Sequence, residues 1–265
     1  LSARNKMKKF VCLAICCAGF LWLWNQAQPV MNTGRDVVRF IQQMEEIGPQ
    51  PATLLELVID TIRQGKRRFD YDPRRMTEPL EEVLKQKLAA TPYYTFVSSY
   101  RYTDYKIKIT VEFEYADLGI STAQAIKESE GAARQVVKLL VLDGKTSIEK
   151  LRLLYGYLIR TSAYDRNEPY APVSYTAYGP LILGTGVCDG YSSALCMLAQ
   201  AAGIPMERVT GLAEGEPHSW NQLNLDGEIY YFDPTWDDPV PDKQGRVRYD
   251  YFCKKKEEMP HEIGQ

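Results

Sequence analysis

The stretch Gly184-Thr185-Gly186-Val187-Cys188-Asp189-Gly190-Tyr191-Ser192-Ser193-Ala194 decides the fold, because it predicts a glycine-rich loop that runs into a helix. Apolar residues recur at helical spacing after Tyr191, and Gly203 stops the pattern, so a helix is predicted at residues 188–202. Cys188 begins this helix, seven residues before Leu195 on the core-facing stripe. Unpaired N–H groups and the positive end of a helix favour a thiolate at that position. The same N–H groups can hold an oxyanion.

Cys188 also has an alternative interpretation as an ordinary, unreactive cysteine. A cysteine on an apolar helix face is usually an inert small hydrophobe, and Cys196 is the example of that ordinary case on the same helix. Only Cys188, Cys196 and Cys253 follow the N-terminal apolar segment, and an odd number of cysteines in an exported chain indicates a free thiol. No CxxC pair occurs after that segment, so we expect no structural zinc site.

His218 and Asp233 lie in a predicted β-hairpin. His218 begins a strand that ends at Leu225, and the following Asp226-Gly227 is a strong two-residue turn signal. With that turn, Asp233 lies opposite Trp220, two residues from His218 on the same face. The side chains of His218 and Asp233 are therefore expected to meet across the hairpin, unless the register slips by one residue. A lone surface ion pair or a structural histidine is the alternative.

These three side chains suggest one kind of chemistry. A thiol, an imidazole and a carboxylate together make an activated nucleophile, its base and the group that orients the base. The candidate catalytic residues are therefore Cys188, His218 and Asp233.

The C-terminal residues carry two further predictions. The segment after Cys253 contains a run of lysines and glutamates, so we expect a solvated end in which His261 is exposed. Asp237 and Asp238 are expected to be turn residues and not metal ligands. We expect neither a metal nor another cofactor.

The rest of the chain predicts an α+β arrangement. Alternating residues from Tyr94 to Tyr115 predict a hairpin that turns near Asp104, within a small α+β region at residues 29–120. Residues 163–185 are predicted to form a long functional or mobile loop. Helices are predicted at residues 36–47, 53–62, 79–90 and 122–142, and after a cap at Thr146-Ser147.

The N-terminal residues have the layout of a secretory signal. Lys8-Lys9 precedes uncharged residues 10–24; a signal core has about 7–15 residues, whereas a membrane-spanning helix needs roughly 20. We therefore expect a signal peptide or a short uncleaved membrane anchor at residues 1–28, with a buried core helix as the alternative. Such a protein would be secreted or membrane-anchored, outside the cytoplasm. The net charge of −2 gives no support for a nucleic-acid partner.

The chain resembles the transglutaminase-like superfamily, which is related to papain-type cysteine proteases, over residues 147–252. The resemblance lies in ordered motifs: Tyr175-Thr176-Ala177-Tyr178-Gly179, Gly186-Val187-Cys188-Asp189-Gly190-Tyr191-Ser192, His218-Ser219-Trp220-Asn221 and Tyr231-Phe232-Asp233-Pro234-Thr235-Trp236-Asp237. It implies a papain-like/transglutaminase-like core in a domain at residues 121–265, with the cysteine helix packed against an antiparallel sheet. It also implies acyl transfer through a thioester, with Cys188 as nucleophile, His218 as base and Asp233 as orienting group. Weaker candidates for oxyanion or substrate binding, or for walls of the site, are Tyr178, Tyr164, Trp220 and Trp236.

Together these features favour a transglutaminase-like thiol enzyme that acts on peptide bonds or glutamine side-chain amides. Hydrolysis is the first expectation, because the sequence shows nothing dedicated to lysine binding. An amine-transferring protein crosslinker is the enzyme alternative, and a non-catalytic binding module on the cell surface is the alternative from another class. The expected partner is a protein or peptide substrate, located in the cell envelope if the protein is exported.

Overall fold

The computed structural model describes residues 53–74, 78–105, 108–241, 243 and 246–263. These residues all belong to one compact unit, Ala52–Gln265. The predicted N-terminal segment at residues 1–28 and the predicted helix at 36–47 lie outside the described residues. Among the helices that the structure describes, none is long and apolar enough to span a bilayer.

The described chain alternates helices with short strands. The helices are α1 (Leu54–Arg63), α2 (Leu80–Glu82, continued by a π-helical turn at Val83–Lys87), α3 (Thr122–Leu139), α4 (Ser147–Thr161), α5 (Cys188–Ala201) and α6 (Pro234–Asp237). The strands are β1 (Arg68–Tyr71), β2 (Val97–Asp104), β3 (Ile109–Tyr115), β4 (Ala163–Tyr164), β5 (Thr185–Gly186), β6 (Glu207–Ala213), β7 (Glu216–Leu225), β8 (Glu228–Phe232), β9 (Phe252–Lys254) and β10 (His261–Ile263).

The predicted hairpin near Asp104 is present as β2 and β3, which pair antiparallel with Tyr102 opposite Val111. A third strand, β1, adds to the other side of β3, where Phe69 pairs with Val111. The strand β1 is not predictable from the sequence pattern, because its four residues are too few to show a clear alternation. One face of β3 packs into the core, as its buried Val111 and Phe113 show.

A larger antiparallel sheet in the described C-terminal half has the order β10-β6-β7-β8-β9. The turn between β7 and β8 has the predicted register, with Leu225 opposite Glu228. Asp226 and Gly227 both have positive φ angles, as this two-residue turn requires. The predicted solvated C-terminal end is confirmed only for the charged run, since Lys255–Glu258 are exposed. The segments on either side of this run form β9 and β10, which are the two edge strands of the sheet.

The cysteine helix α5 packs against this sheet, as the resemblance implies. Its apolar stripe is fully buried at Tyr191, Leu195 and Leu198. From β7, the amide of Asn221 donates a hydrogen bond to the carbonyl of Ser192 at 2.8 Å, which ties the helix to the sheet. The α+β class and the antiparallel sheet of the prediction are therefore confirmed.

Residues 163–185 are more ordered than a plain loop. They contain β4, a 3-10 turn at Pro172–Tyr175 and a π-helical turn at Gly179–Leu183, and they lead into β5, which pairs with β4. Gly184 has a φ of +70° where the π-helical turn ends, a conformation that favours glycine. This compact segment lies against the start of α5, where the Val187 N–H donates to the Ser174 carbonyl.

Gly190 is expected to be intolerant of any side chain. A Cβ at this position would lie 2.3 Å from the carbonyl oxygen of Ser174, which belongs to backbone and has little freedom to move. We expect Gly190→Ala to lower the free energy of unfolding by about 1–3 kcal/mol, measured by denaturant titration. Gly131→Ala is the matched control, since Gly131 is also helical but has open space around its Cβ position, and it should stabilise by about 0.5–1 kcal/mol.

A buried arginine on β6 links the first part of the described chain to α5. Arg208 is 3% exposed, and its guanidinium contacts the Asp189 carboxylate, the Ser192 hydroxyl at 3.2 Å and the Ala89 carbonyl at 3.0 Å. One apolar core contains residues from both sides of position 120, including Val58 of α1 and Leu195 of α5. The division of the chain at residues 28 and 120 stays a prediction.

Candidate functional site

Cys188 is half-buried at the first position of α5. The residue that caps this helix is Val187, which has no side-chain oxygen to bond the free N–H groups of the first turn. A helix start leaves such N–H groups without partners inside the helix. The thiol therefore lies beside donors and a positive helix end that are open to an anion.

His218 connects Cys188 to Asp233. Its Nε2 lies 2.8 Å from Oδ2 of Asp233, and Cys188 is near enough to the ring to affect its pKa. Because Nε2 is used by Asp233, Nδ1 is the nitrogen left for the thiol. Burial lowers the pKa of His218, but the hydrogen bond to Asp233 and the nearby Cys188 outweigh burial and raise it to about 10. The imidazole is thus held as an imidazolium between the two partners.

The Asp233 carboxylate is fully buried and accepts four hydrogen bonds. Oδ1 accepts the backbone N–H groups of Thr235 and Trp236 at 2.9 and 3.1 Å, so it caps the short helix α6. Oδ2 accepts Nε2 of His218 and Nε2 of His261. Burial alone would raise the pKa of Asp233, but the bonds from the two histidines and the backbone lower it. Asp233 is therefore an anion whose orientation is fixed from both oxygens.

His261 was expected to be solvated, and that prediction was wrong. Its side chain is 1% exposed, and its Nε2 lies 2.7 Å from Oδ2 of Asp233. It lies on β10, where it pairs with Ala213. No local sequence signal marks this position, because β10 has three residues and its partner strand β6 lies far away in the chain.

The four aromatic candidates lie in different places. Trp236 contacts the rings of both His218 and His261, at 5.7 and 4.5 Å between centroids, and Trp220 stacks on His218 at 6.0 Å. The pKa of Tyr164 is raised by burial and then by the nearby Cys188, which places this tyrosine beside the thiol. The pKa of Tyr178 is raised instead by burial and by Glu128 of α3. The tryptophans therefore wall the histidines, and Tyr164 is the tyrosine of the pair that lies next to Cys188.

A cleft of about 900 Å³ opens beside His218. Tyr164 and Trp236 line this cleft, together with charged side chains of both signs. The basic side chains are Arg166, Lys243, Arg246 and Arg248, and the acidic ones are Asp165, Glu168, Glu214 and Asp238. His218 therefore lines a mostly polar cleft that is large enough for a peptide side chain.

Asp237 and Asp238 were predicted to be turn residues, and both are buried hydrogen-bond acceptors at the end of α6. Asp237 accepts the hydroxyl of Tyr155 at 2.5 Å, and the same hydroxyl lies 2.7 Å from the carbonyl of Asp233. Asp238 accepts the hydroxyl of Tyr191 at 2.5 Å. These contacts hold the segment that carries Asp233 against α4 and α5.

One group of possible metal ligands occurs in the described part of the chain: His218, Asp233 and His261, with ligand atoms within 4.8 Å of one another. A carboxylate only accepts hydrogen bonds, so each Nε2 next to Oδ2 carries a proton. A metal would have to displace both protons to use these nitrogens. The distances of 2.7 and 2.8 Å are those of hydrogen bonds.

Cys196 shows how different the other helix cysteine is. It is completely buried, its Sγ accepts the side-chain amide of Asn221 at 3.2 Å, and burial raises its pKa to about 12. The ordinary interpretation of Cys196 as a small core residue therefore fits its position.

Residues 134–234 match the family model of the transglutaminase-like superfamily, and Cys188, His218 and Asp233 all lie within that range. No curated protein matches the sequence. Similar solved structures include a TGase with 13% identity and a TM-score of 0.40, which aligns over 58% of this chain and 48% of its own. A candidate cysteine protease from Cytophaga hutchinsonii has 12% identity and a TM-score of 0.36, over 54% and 64%. A candidate protease from Parabacteroides distasonis has 12% identity and a TM-score of 0.30, over 50% and 35%. This chain spans less than two thirds of each of these structures.

Proposed function

We propose, from the transglutaminase-like domain that residues 134–234 form, that this protein is a thiol enzyme that cleaves peptide or glutamine side-chain amides. The observation that carries the proposal is the 2.8 Å hydrogen bond between His218 and the buried carboxylate of Asp233, with Cys188 near the same imidazole at the start of α5. A nucleophile, a base and an orienting group in this arrangement are what acyl transfer requires.

In the proposed first step, Sγ of Cys188 attacks the carbonyl carbon of the amide, and a C–S bond forms. The C–N bond then breaks, and the departing amine takes the proton from Nδ1 of His218. The product is a thioester on Cys188 and a free amine or ammonia. Asp233 keeps its bond to Nε2 throughout, so it holds the ring in place and stabilises the imidazolium.

The oxyanion of the tetrahedral intermediate needs hydrogen-bond donors. The N–H groups in the first turn of α5 are suitably placed, because the cap residue Val187 does not occupy them with a side chain. Tyr164, which lies close to Cys188, is the side-chain candidate for a further donor.

Water is the proposed acceptor in the second step. It gives a proton to His218 and attacks the thioester, and the C–S bond breaks to release a carboxylic acid. The cleft beside His218 is lined mainly by polar and charged side chains, so we expect water to approach His218 from it without a dedicated binding site. Transfer to an amine would use the same thioester and a different acceptor.

Alkylation of the three described thiols tests whether Cys188 is activated. With limiting iodoacetamide at pH 6, peptide mass spectrometry should show Cys188 modified much faster than Cys253 and Cys196. Cys253 is the fair comparison, because it is also half-buried but has no histidine partner among the described residues. Equal rates at Cys188 and Cys253 would refute the activated thiol.

A second assay separates the two acceptors. Glutamine-containing peptides are incubated with the protein in the presence and absence of a fluorescent primary amine. Hydrolysis should release ammonia, or a new amino terminus, at the same rate in both samples. Incorporation of the amine at the expense of hydrolysis would establish the crosslinking alternative. If the unchanged protein gives no product in either assay and Cys188→Ala still binds a peptide ligand equally well, the binding module is favoured.

We further propose that the protein acts outside the cytoplasm on protein or peptide substrates, some of them in the cell envelope. The support is the basic and apolar layout of residues 1–28. Cell fractionation with N-terminal sequencing of the cell-made protein tests it. A soluble cytoplasmic species that still begins with residues 10–24 would contradict it.

A further inference from the structure

We infer that His261 is a positioning residue of this site: its Nε2–H fixes the Asp233 carboxylate in the orientation that receives His218. The inference rests on the proposed function, because it assigns a role within the same hydrogen-bonded group. His261 itself does not touch the thiol in this assignment and acts through Asp233.

The first support is how the Asp233 carboxylate is held. Both imidazoles donate to the same oxygen, Oδ2, at 2.8 Å from His218 and 2.7 Å from His261, and their rings meet edge to face with 5.4 Å between centroids. During turnover His218 must exchange protons with the thiol and the substrate. The bond from His261 is independent of that exchange, so Oδ2 stays in place while the His218 ring adjusts.

The second support is that the strand pairing and the packing leave His261 little choice of direction. The strands β7 and β10 lie on the two sides of β6. His218 of β7 pairs with Gly211, and His261 of β10 pairs with Ala213, two residues further along β6. The two histidines therefore lie on the same face of the sheet. The ring of His261 is enclosed by Trp220 at 4.8 Å, Trp236 at 4.5 Å and Tyr251 at 6.0 Å.

The third support is a buried nitrogen. Nδ1 of His261 has no hydrogen-bond partner among the described residues. A buried polar atom without a partner lowers stability, whereas an apolar ring would fill the same space without that loss. Packing alone therefore does not account for a histidine here. The bond from the other nitrogen to Asp233 does account for it.

Two substitutions test the N–H donor of His261 and its ring separately. His261→Phe keeps a ring and removes the N–H donor. His261→Gln removes the ring but keeps an N–H at a similar distance from the backbone. We expect the rate of Cys188 alkylation by iodoacetamide at pH 6 to fall about tenfold in the Phe variant, as the loss of one hydrogen bond to a charged group implies. The Gln variant should stay within about threefold of the unchanged protein.

A double-mutant cycle with Asp233→Asn distinguishes positioning from a general structural role. If His261 acts through the carboxylate, adding His261→Phe to Asp233→Asn should cause no further loss of the alkylation rate. A merely structural role would slow alkylation in both backgrounds, and that result would overturn the inference.

The remaining outcomes are also decisive. An unchanged alkylation rate in His261→Phe would overturn the inference. A tenfold loss of the rate in His261→Gln would also overturn it. The Gln variant can be compared with the unchanged protein even if the Phe variant does not fold. Failure of the proposed function looks different. In that case Cys188 of the unchanged protein would be alkylated no faster than Cys253.

Discussion

Replacing His218 with alanine is expected to slow the alkylation of Cys188 by about a hundredfold at pH 6, which is within the usual contribution of a positioned acid–base group. The pKa of His218 is raised to about 10, so in the folded protein the ring carries its proton throughout the neutral range and holds it against the thiol. Alanine removes this partner and leaves Cys188 beside the helix start alone. The measurement is the second-order rate constant for iodoacetamide, read from the mass of the Cys188 peptide.

The same experiment has an expected pH dependence. A raised pKa means that the imidazolium persists below about pH 10 and is lost only as the pH rises through that value. Because a nearby cation favours a thiolate, the alkylation rate of the unchanged protein should rise less between pH 6 and pH 9 than that of His218→Ala. In His218→Ala the rate should rise with pH toward the ordinary thiol value of about 8.5. Identical pH curves for the two proteins would contradict the activation of Cys188 by His218.

Replacing Asp233 with asparagine is expected to have the second large effect, a loss of turnover of about a thousandfold or more. Oδ1 accepts two backbone N–H groups, so the asparagine oxygen takes that side to preserve the cap of α6. The new NH₂ group then faces the Nε2–H donors of His218 and His261, and donors that face each other cannot bond. The His218 ring loses both its orientation and its counter-charge.

Asp237→Asn is the matched control for Asp233→Asn. Asp237 is equally buried, and its carboxylate accepts the hydroxyl of Tyr155 and the backbone N–H groups of Asp250 and Tyr251. Its replacement should lower the melting temperature, because an NH₂ group faces donors there as well. The alkylation rate of Cys188 in the variant that remains folded should stay close to that of the unchanged protein. The alkylation rate of Cys188 is measured in both variants. An equal loss of this rate in Asp233→Asn and Asp237→Asn would mean that Asp233 acts only through stability.

The parts of the site that could be predicted from sequence are those with short-range signals. The Asp226-Gly227 turn determines the register of β7 and β8, and this register brings His218 to Asp233 as expected. The start of α5 at Cys188 follows from the glycine-rich entry and the helical spacing after it. In each case the deciding residues lie within a few positions of one another.

The parts that were missed depend on contacts between distant residues. His261 reaches Asp233 because β10 pairs with β6, and no pattern near residue 261 indicates that pairing. The buried state of Asp237 and Asp238 depends on hydroxyl groups from α4 and α5, which a turn-like sequence cannot reveal. The charged residues before His261 favoured a solvated end, and strand pairing overrode that local preference.

Arg208 limits where the protein can be divided. Its guanidinium binds the Ala89 carbonyl on one side and the Asp189 carboxylate, next to Cys188, on the other. A fragment that begins at residue 121 would lose the first contact, which leaves a buried guanidinium N–H without its acceptor, and would expose the core that α1 and α2 cover. We therefore expect a fragment that keeps the thiol in its present surroundings to include α1 and α2, which lie upstream of the matched residues 134–234.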